Sequence, residues 1–127
     1  NKINEDVVVP IPQLSALLTG LDQLSERHEI AIVNFGHAGN GNLHVNILYD
    51  ATDPKQDQSA KRCLSEVFSL VLSLDGTLSG EHGVGIAKRD YVDLELGETE
   101  LRLMRQIKKQ FDPSLILNPN KGWPTEG

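Results

Sequence analysis

The segment Leu43-His44-Val45-Asn46-Ile47-Leu48-Tyr49 alternates apolar and polar residues, the period-two pattern of a strand with one buried face. Just before it, Ile30 to Phe35 is a second apolar run rich in β-branched residues, and the two are joined by Gly36-His37-Ala38-Gly39-Asn40-Gly41-Asn42. Runs this close in sequence, separated by glycines, predict an antiparallel hairpin. Its period assigns the faces: Leu43, Val45 and Ile47 turn toward a core, while His44 and Asn46 share the other face.

The rest of the chain fits around that hairpin. Asp6-Val7-Val8-Val9-Pro10 is a short β-branched run closed by proline, readable as a first strand. Leu14, Leu17, Leu18, Leu21 and Leu24 recur at helical spacing, Pro12 suits a first helical turn, and the helix should end near His28. Gly20 within it costs about 1 kcal/mol relative to alanine. After the hairpin, Thr52 or Asp53 followed by Pro54 is a helix start, and Ala60, Leu64, Val67, Phe68, Val71 and Leu72 form the apolar stripe of a second helix that stops at Asp75-Gly76. Thr77-Leu78-Ser79 can be a fourth strand. The order strand, helix, strand, strand, helix, strand predicts an α+β, ferredoxin-like (βαββαβ) fold, with two helices on one face of an antiparallel sheet and the other face open. Beyond Gly85, Leu101, Met104, Ile107 and Phe111 mark a helical appendage that stops at Asp112-Pro113.

Twelve basic against eighteen acidic residues, a net charge of −6, give no basic stripe to track a phosphate backbone, so nucleic acid is not an expected partner. No apolar run is long enough for a membrane span. One cysteine, Cys63, excludes an internal disulfide and leans toward a reducing, cytoplasmic compartment; within an apolar helix it reads as a buried residue. The chain opens Asn1-Lys2-Ile3 without methionine and reads as cut or processed from something longer.

Three of the four histidines lie in two glycine-rich stretches, the hairpin loop and Ser79-Gly80-Glu81-His82-Gly83-Val84-Gly85. Imidazole and carboxylate bind divalent metals and move protons, and glycine lets a ligand approach. A hairpin can bring His37 and His44 to one rim, where the alternative is a turn with two solvated histidines. With Glu81 they would form a set that leaves coordination positions open and suits zinc, manganese or iron. A plain ferredoxin-like drawing puts the end of the fourth strand away from the hairpin loop, so Glu81 must reach across the sheet or sit on an irregular segment. His82 can be a base or a histidine bonded to its own loop. Asn46 can hold a substrate oxygen or satisfy a hairpin edge, and His28 reads as a solvated helix-end residue. The spacing of Gly80, Gly83 and Gly85 is reversed relative to the dinucleotide fingerprint, and no serine elbow or Walker lysine is present.

In order along the chain, Asn4-Glu5-Asp6-Val7-Val8-Val9-Pro10, Gly36 through Asn46, Gly80 through Gly85, and Asp112-Pro113 through Asn118-Pro119 resemble the C-terminal domain of FAD-linked oxidases of the vanillyl-alcohol oxidase type. The branch is that of D-lactate dehydrogenase, D-2-hydroxyglutarate dehydrogenase and the glycolate oxidase FAD subunit. The resemblance covers nearly all of residues 1–127. It implies that His37, His44 and Glu81 are divalent metal ligands, Asn46 contacts substrate, His82 is the catalytic base, and Asn118 approaches the flavin. Asn120 stands where the family commonly has glycine, and asparagine tolerates the positive φ such a turn needs.

The resemblance further implies the substrate-side part of an FAD-dependent 2-hydroxy acid dehydrogenase, its FAD bound mainly by a separate domain and its substrate a small 2-hydroxy acid. The fragment alone would then be inactive. The competing expectation is a stand-alone metal-binding or protein-interaction module without catalysis.

Overall fold

The computed structural model describes residues 1–37 and 39–124, and the chain divides into two compact units, 1–82 and 83 onward. In the first, strands β1 (Lys2–Val8), β2 (Ala31–His37) and β3 (Asn42–Leu48) form an antiparallel sheet in the order β1-β3-β2. Helices α1 (Leu14–His28) and α2 (Pro54–Ser73) pack together and against this sheet. The α+β expectation is met, and β3 is the middle one of the three strands, pairing with β1 on one side and β2 on the other.

The predicted faces hold. Leu43, Val45 and Ile47 are buried with Leu17, Leu21, Val67 and Phe68 from the helices. Each such large side chain removed from water contributes about 2 kcal/mol. Asp53 caps α2 by accepting from the Lys55 N–H at 2.9 Å, and Pro54 opens the helix. Gly20 has a packing reason: a Cβ there would come within 2.5 Å of Leu70 on α2, so the glycine lets the helices approach.

Three elements differ from expectation. β1 begins at Lys2, because pairing with β3 over its whole length recruits residues whose own sequence carries no strand pattern. A short 3₁₀ turn, Ile11–Gln13, precedes α1. The fourth strand is reduced to one bridge, Thr77 with Val8, whose backbone groups exchange hydrogen bonds of 2.8 and 3.1 Å. It lies beside β1, where a ferredoxin-like sheet has its fourth strand. It stops there because the N–H groups of Gly80, Glu81 and His82 donate to the Asp6 carboxylate instead of continuing the ladder.

In the second unit, a 3₁₀ turn (Arg89–Tyr91) and a one-turn helix α3 (Val92–Glu95), neither marked by periodicity, precede α4 (Glu98–Phe111). α4 forms where its stripe predicted, but only Leu101 of that stripe is buried; Ile107 is 53% and Phe111 84% exposed, and Leu115, Ile116 and Leu117 extend the apolar surface. The tail folds back within the unit through Asp112, which accepts from Ile116 and Leu117, and through hydrogen bonds from Gly122 to Gly85 and from Arg89 to Asn120. Among the described residues no helix is long and apolar enough to cross a membrane.

Candidate functional site

Antiparallel register places His44 directly between Asp6 on β1 and Phe35 on β2, with His37 pairing Asn42 one step along the same face. The open face therefore carries His44, as the alternation predicts, and the hairpin pairing puts His37 on the same face. Their rings meet edge to face, with centroids 6.2 Å apart. Glu81 sits on the irregular segment after the Thr77 bridge, and its Oε1 comes within 3.2 Å of His44 Nε2. One ligating atom from each of His37, His44 and Glu81 lies within 4.8 Å of the others. Ligands about 2.1 Å from a shared ion stand roughly 3 to 4 Å apart, so the set fits a divalent cation after a side-chain adjustment of about an ångström. Two imidazoles and one carboxylate also leave room for a substrate oxygen.

The surroundings hold these groups in place. Phe35 and His82 flank the His44 imidazole, with ring centroids at 5.2 and 5.3 Å. Asp6 is fully buried beneath the Glu81-His82 segment. Its Oδ2 accepts from the backbone N–H of Gly80 at 2.8 Å and of His82 at 3.0 Å, and also from Glu81; its Oδ1 lies 3.5 Å from His82 Nδ1. His82 is thus aimed at a carboxylate of β1 rather than at its own loop, and its side chain stays 45% exposed. An imidazole with Nδ1 on a carboxylate leaves Nε2 for proton transfer.

The family model for FAD linked oxidases, C-terminal domain, matches residues 1–122. The chain belongs to that family. This FAD-linked oxidase domain is 40% identical over 123 residues to the mitochondrial D-lactate dehydrogenase [cytochrome] 1 of Saccharomyces cerevisiae, covering 95% of this chain and 20% of that one. It is 39% identical over 122 residues to the D-2-hydroxyglutarate dehydrogenase of Stutzerimonas stutzeri, covering 91% and 26%. Against the glycolate oxidase subunit GlcD of Bacillus subtilis it is 34% identical over 119 residues, covering 94% and 25%. The chain thus spans about a quarter or less of the length of these relatives.

Within the domain, Asn46 lies on the same face as His44 but is buried, and its amide is already engaged: Oδ1 accepts from Asn4 at 2.8 Å and Nδ2 donates to the Val33 carbonyl at 3.3 Å. Asn118 belongs to the second unit, on the tail that Asp112 holds, with a left-handed φ of 46°. Asn120 takes φ 59°, as its glycine-like position requires. His28 is not solvated: its side chain is only 11% exposed and its Nε2 lies 3.1 Å from Glu66, because α1 ends against α2. Asp6 and Phe35 read from the sequence only as strand residues, with no part in the site. Asp6 carried one available signal, an acidic residue leading directly into the apolar run Val7-Val8-Val9.

Proposed function

We propose that this domain is the substrate-side wall of an FAD-dependent 2-hydroxy acid dehydrogenase, with His37, His44 and Glu81 holding a divalent cation and His82 acting as base. The convergence of those three side chains on one rim, with His82 beside them, carries this reading. Family membership supports the substrate class, as do the relatives: a D-lactate dehydrogenase, a D-2-hydroxyglutarate dehydrogenase and a glycolate oxidase subunit.

When bound, a cation of the zinc, manganese or iron type would lower the pKa of a hydroxyl oriented at it, and FAD would accept the electrons. The chain's own residues do the rest. His37, His44 and Glu81 fix where the hydroxy acid sits, and the Phe35 ring limits how the His44 imidazole can turn. His82 Nε2 takes the hydroxyl proton. Asn46, held by Asn4 and Val33, would offer its remaining amide capacity to the substrate, and Asn118 would approach the flavin, as the family resemblance implies. The flavin-binding domain of the same polypeptide is the proposed partner. The exposed strip of Ile107, Phe111 and Leu115 to Leu117 gives it an apolar surface to cover, of the kind that marks an interaction site.

The test uses the full-length protein. Wild type is expected to retain a divalent metal through dialysis and to oxidise at least one of D-lactate, glycolate and D-2-hydroxyglutarate. His37→Ala with His44→Ala should lose both properties, and His82→Ala should keep the metal while turnover falls about a hundredfold or more. Equal metal content in wild type and double variant would refute the ligand set, and near-normal turnover of His82→Ala would remove it as the base.

A further inference from the structure

We infer that Asp6 is a positioning residue with two separable tasks: one carboxylate oxygen shapes the segment that delivers Glu81, and the other orients His82. The inference rests on the metal and base reading above and assigns a part to a residue on a different strand.

The two carboxylate oxygens meet different parts of the site. Oδ2 receives three successive backbone N–H groups, those of Gly80, Glu81 and His82. Successive N–H groups converging on one oxygen form a nest, a local fold that an acceptor at its centre holds together. Because the Glu81 N–H is the middle donor, the anion sets the backbone from which the Glu81 side chain reaches His44. The curl is also tight against the sheet: a Cβ at Gly80 would come within 2.8 Å of Val8 and 3.0 Å of the Asn42 amide, so the segment has one place to go. Oδ1 faces His82 Nδ1 at 3.5 Å. A carboxylate at that nitrogen holds the Nδ1–H tautomer and directs the lone pair to Nε2, the arrangement that makes an imidazole a base. Full burial of Asp6 keeps water from substituting for either role.

Asparagine and alanine at this position separate the two tasks. Asp6→Asn keeps one oxygen for the nest but turns an amide N–H₂ toward His82 Nδ1, which then favours the wrong tautomer. Asp6→Ala removes both acceptors. In the full-length protein, with each variant first shown to be folded by circular dichroism, Co(II) replaces the native metal so that its visible absorption reports the ligand set.

Asp6→Asn is expected to keep the wild-type Co(II) spectrum, with kcat down by about 10²- to 10⁴-fold and KM within a few-fold of wild type. Asp6→Ala should show the spectrum of Glu81→Ala, with Co(II) affinity down about 10- to 100-fold. Wild-type kcat in Asp6→Asn, a wild-type Co(II) spectrum in Asp6→Ala, or failure of both variants to fold would each overturn the inference. Absence of a Co(II) band in wild type, or its persistence in the His37→Ala, His44→Ala variant, would instead refute the ligand set; the kcat of Asp6→Asn would still decide the orientation of His82.

Discussion

The Val9 carbonyl oxygen occupies the space that a side chain at Gly41 would need: a Cβ built there would come within 2.0 Å of it. The Val9 N–H in turn donates to the Gly41 carbonyl at 3.1 Å, and Gly41 holds φ at +74°. The glycine-rich loop is therefore fastened to the end of β1. Gly41→Ala is expected to cost about 2 to 4 kcal/mol, combining left-handed strain with displacement of backbone. Urea unfolding followed by circular dichroism measures it, and a loss below about 0.5 kcal/mol would show that the loop relaxes without penalty.

Phe68 is wholly buried on the face of α2 that packs inward. Phe68→Ala should destabilise by about 3 to 5 kcal/mol, with the cavity as well as the lost transfer energy contributing. The denaturation midpoint is the readout. A cost under about 1 kcal/mol would mean that the core collapses around the gap.

Burial, with Glu66 as the lesser cause, pushes the Cys63 thiol up to about 11. Its thiolate is scarce at neutral pH and its sulfur is covered. An aromatic disulfide reagent should label the native protein far more slowly than the urea-unfolded protein. Matching rates would show α2 opening freely.

The hydrogen bond from Lys108, together with the N–H groups of Leu117 and Ile116, holds the Asp112 carboxyl below its ordinary range against the opposing effect of burial. A depressed folded pKa stabilises above the unfolded value, about 4, and that stabilisation is lost as pH falls through the folded value. The melting-temperature gap between wild type and Asp112→Asn should therefore be widest near neutrality and narrow below about pH 4. A gap independent of pH would show that the Asp112 charge contributes nothing.

A ligand bound only by the folded state stabilises it, by about 2.7 kcal/mol at a hundred times its Kd. Chelation should lower the melting temperature of the full-length wild type and leave that of Glu81→Ala less affected. Identical shifts would separate the metal from Glu81.

The hairpin, both long helices and the face of His44 were legible because each is written in local periodicity, and the structure keeps Leu43, Val45 and Ile47 inside as the alternation requires. β1 was only half legible: Lys2 to Glu5 become strand through pairing with β3, which no local pattern records. The fourth strand failed for a nonlocal reason as well, since a side chain on β1 captures the N–H groups that would have extended it. His28 depended on α2 lying beside α1. The clustering of histidines and Glu81 was visible as composition, but the place of Asp6 beside them required the register that sets it opposite His44.

The hydrogen bond from Glu81 to Asp6 joins residues 75 apart in sequence, whereas His37 and His44 belong to one hairpin. Local pairings close early and cheaply, and distant ones wait on the rest of the topology. During folding the two imidazoles can therefore meet before the carboxylate arrives. If the three side chains hold a cation as proposed, tight capture is then a late event that reports a finished tertiary structure, and a chain stalled at the hairpin would offer two of the three ligands.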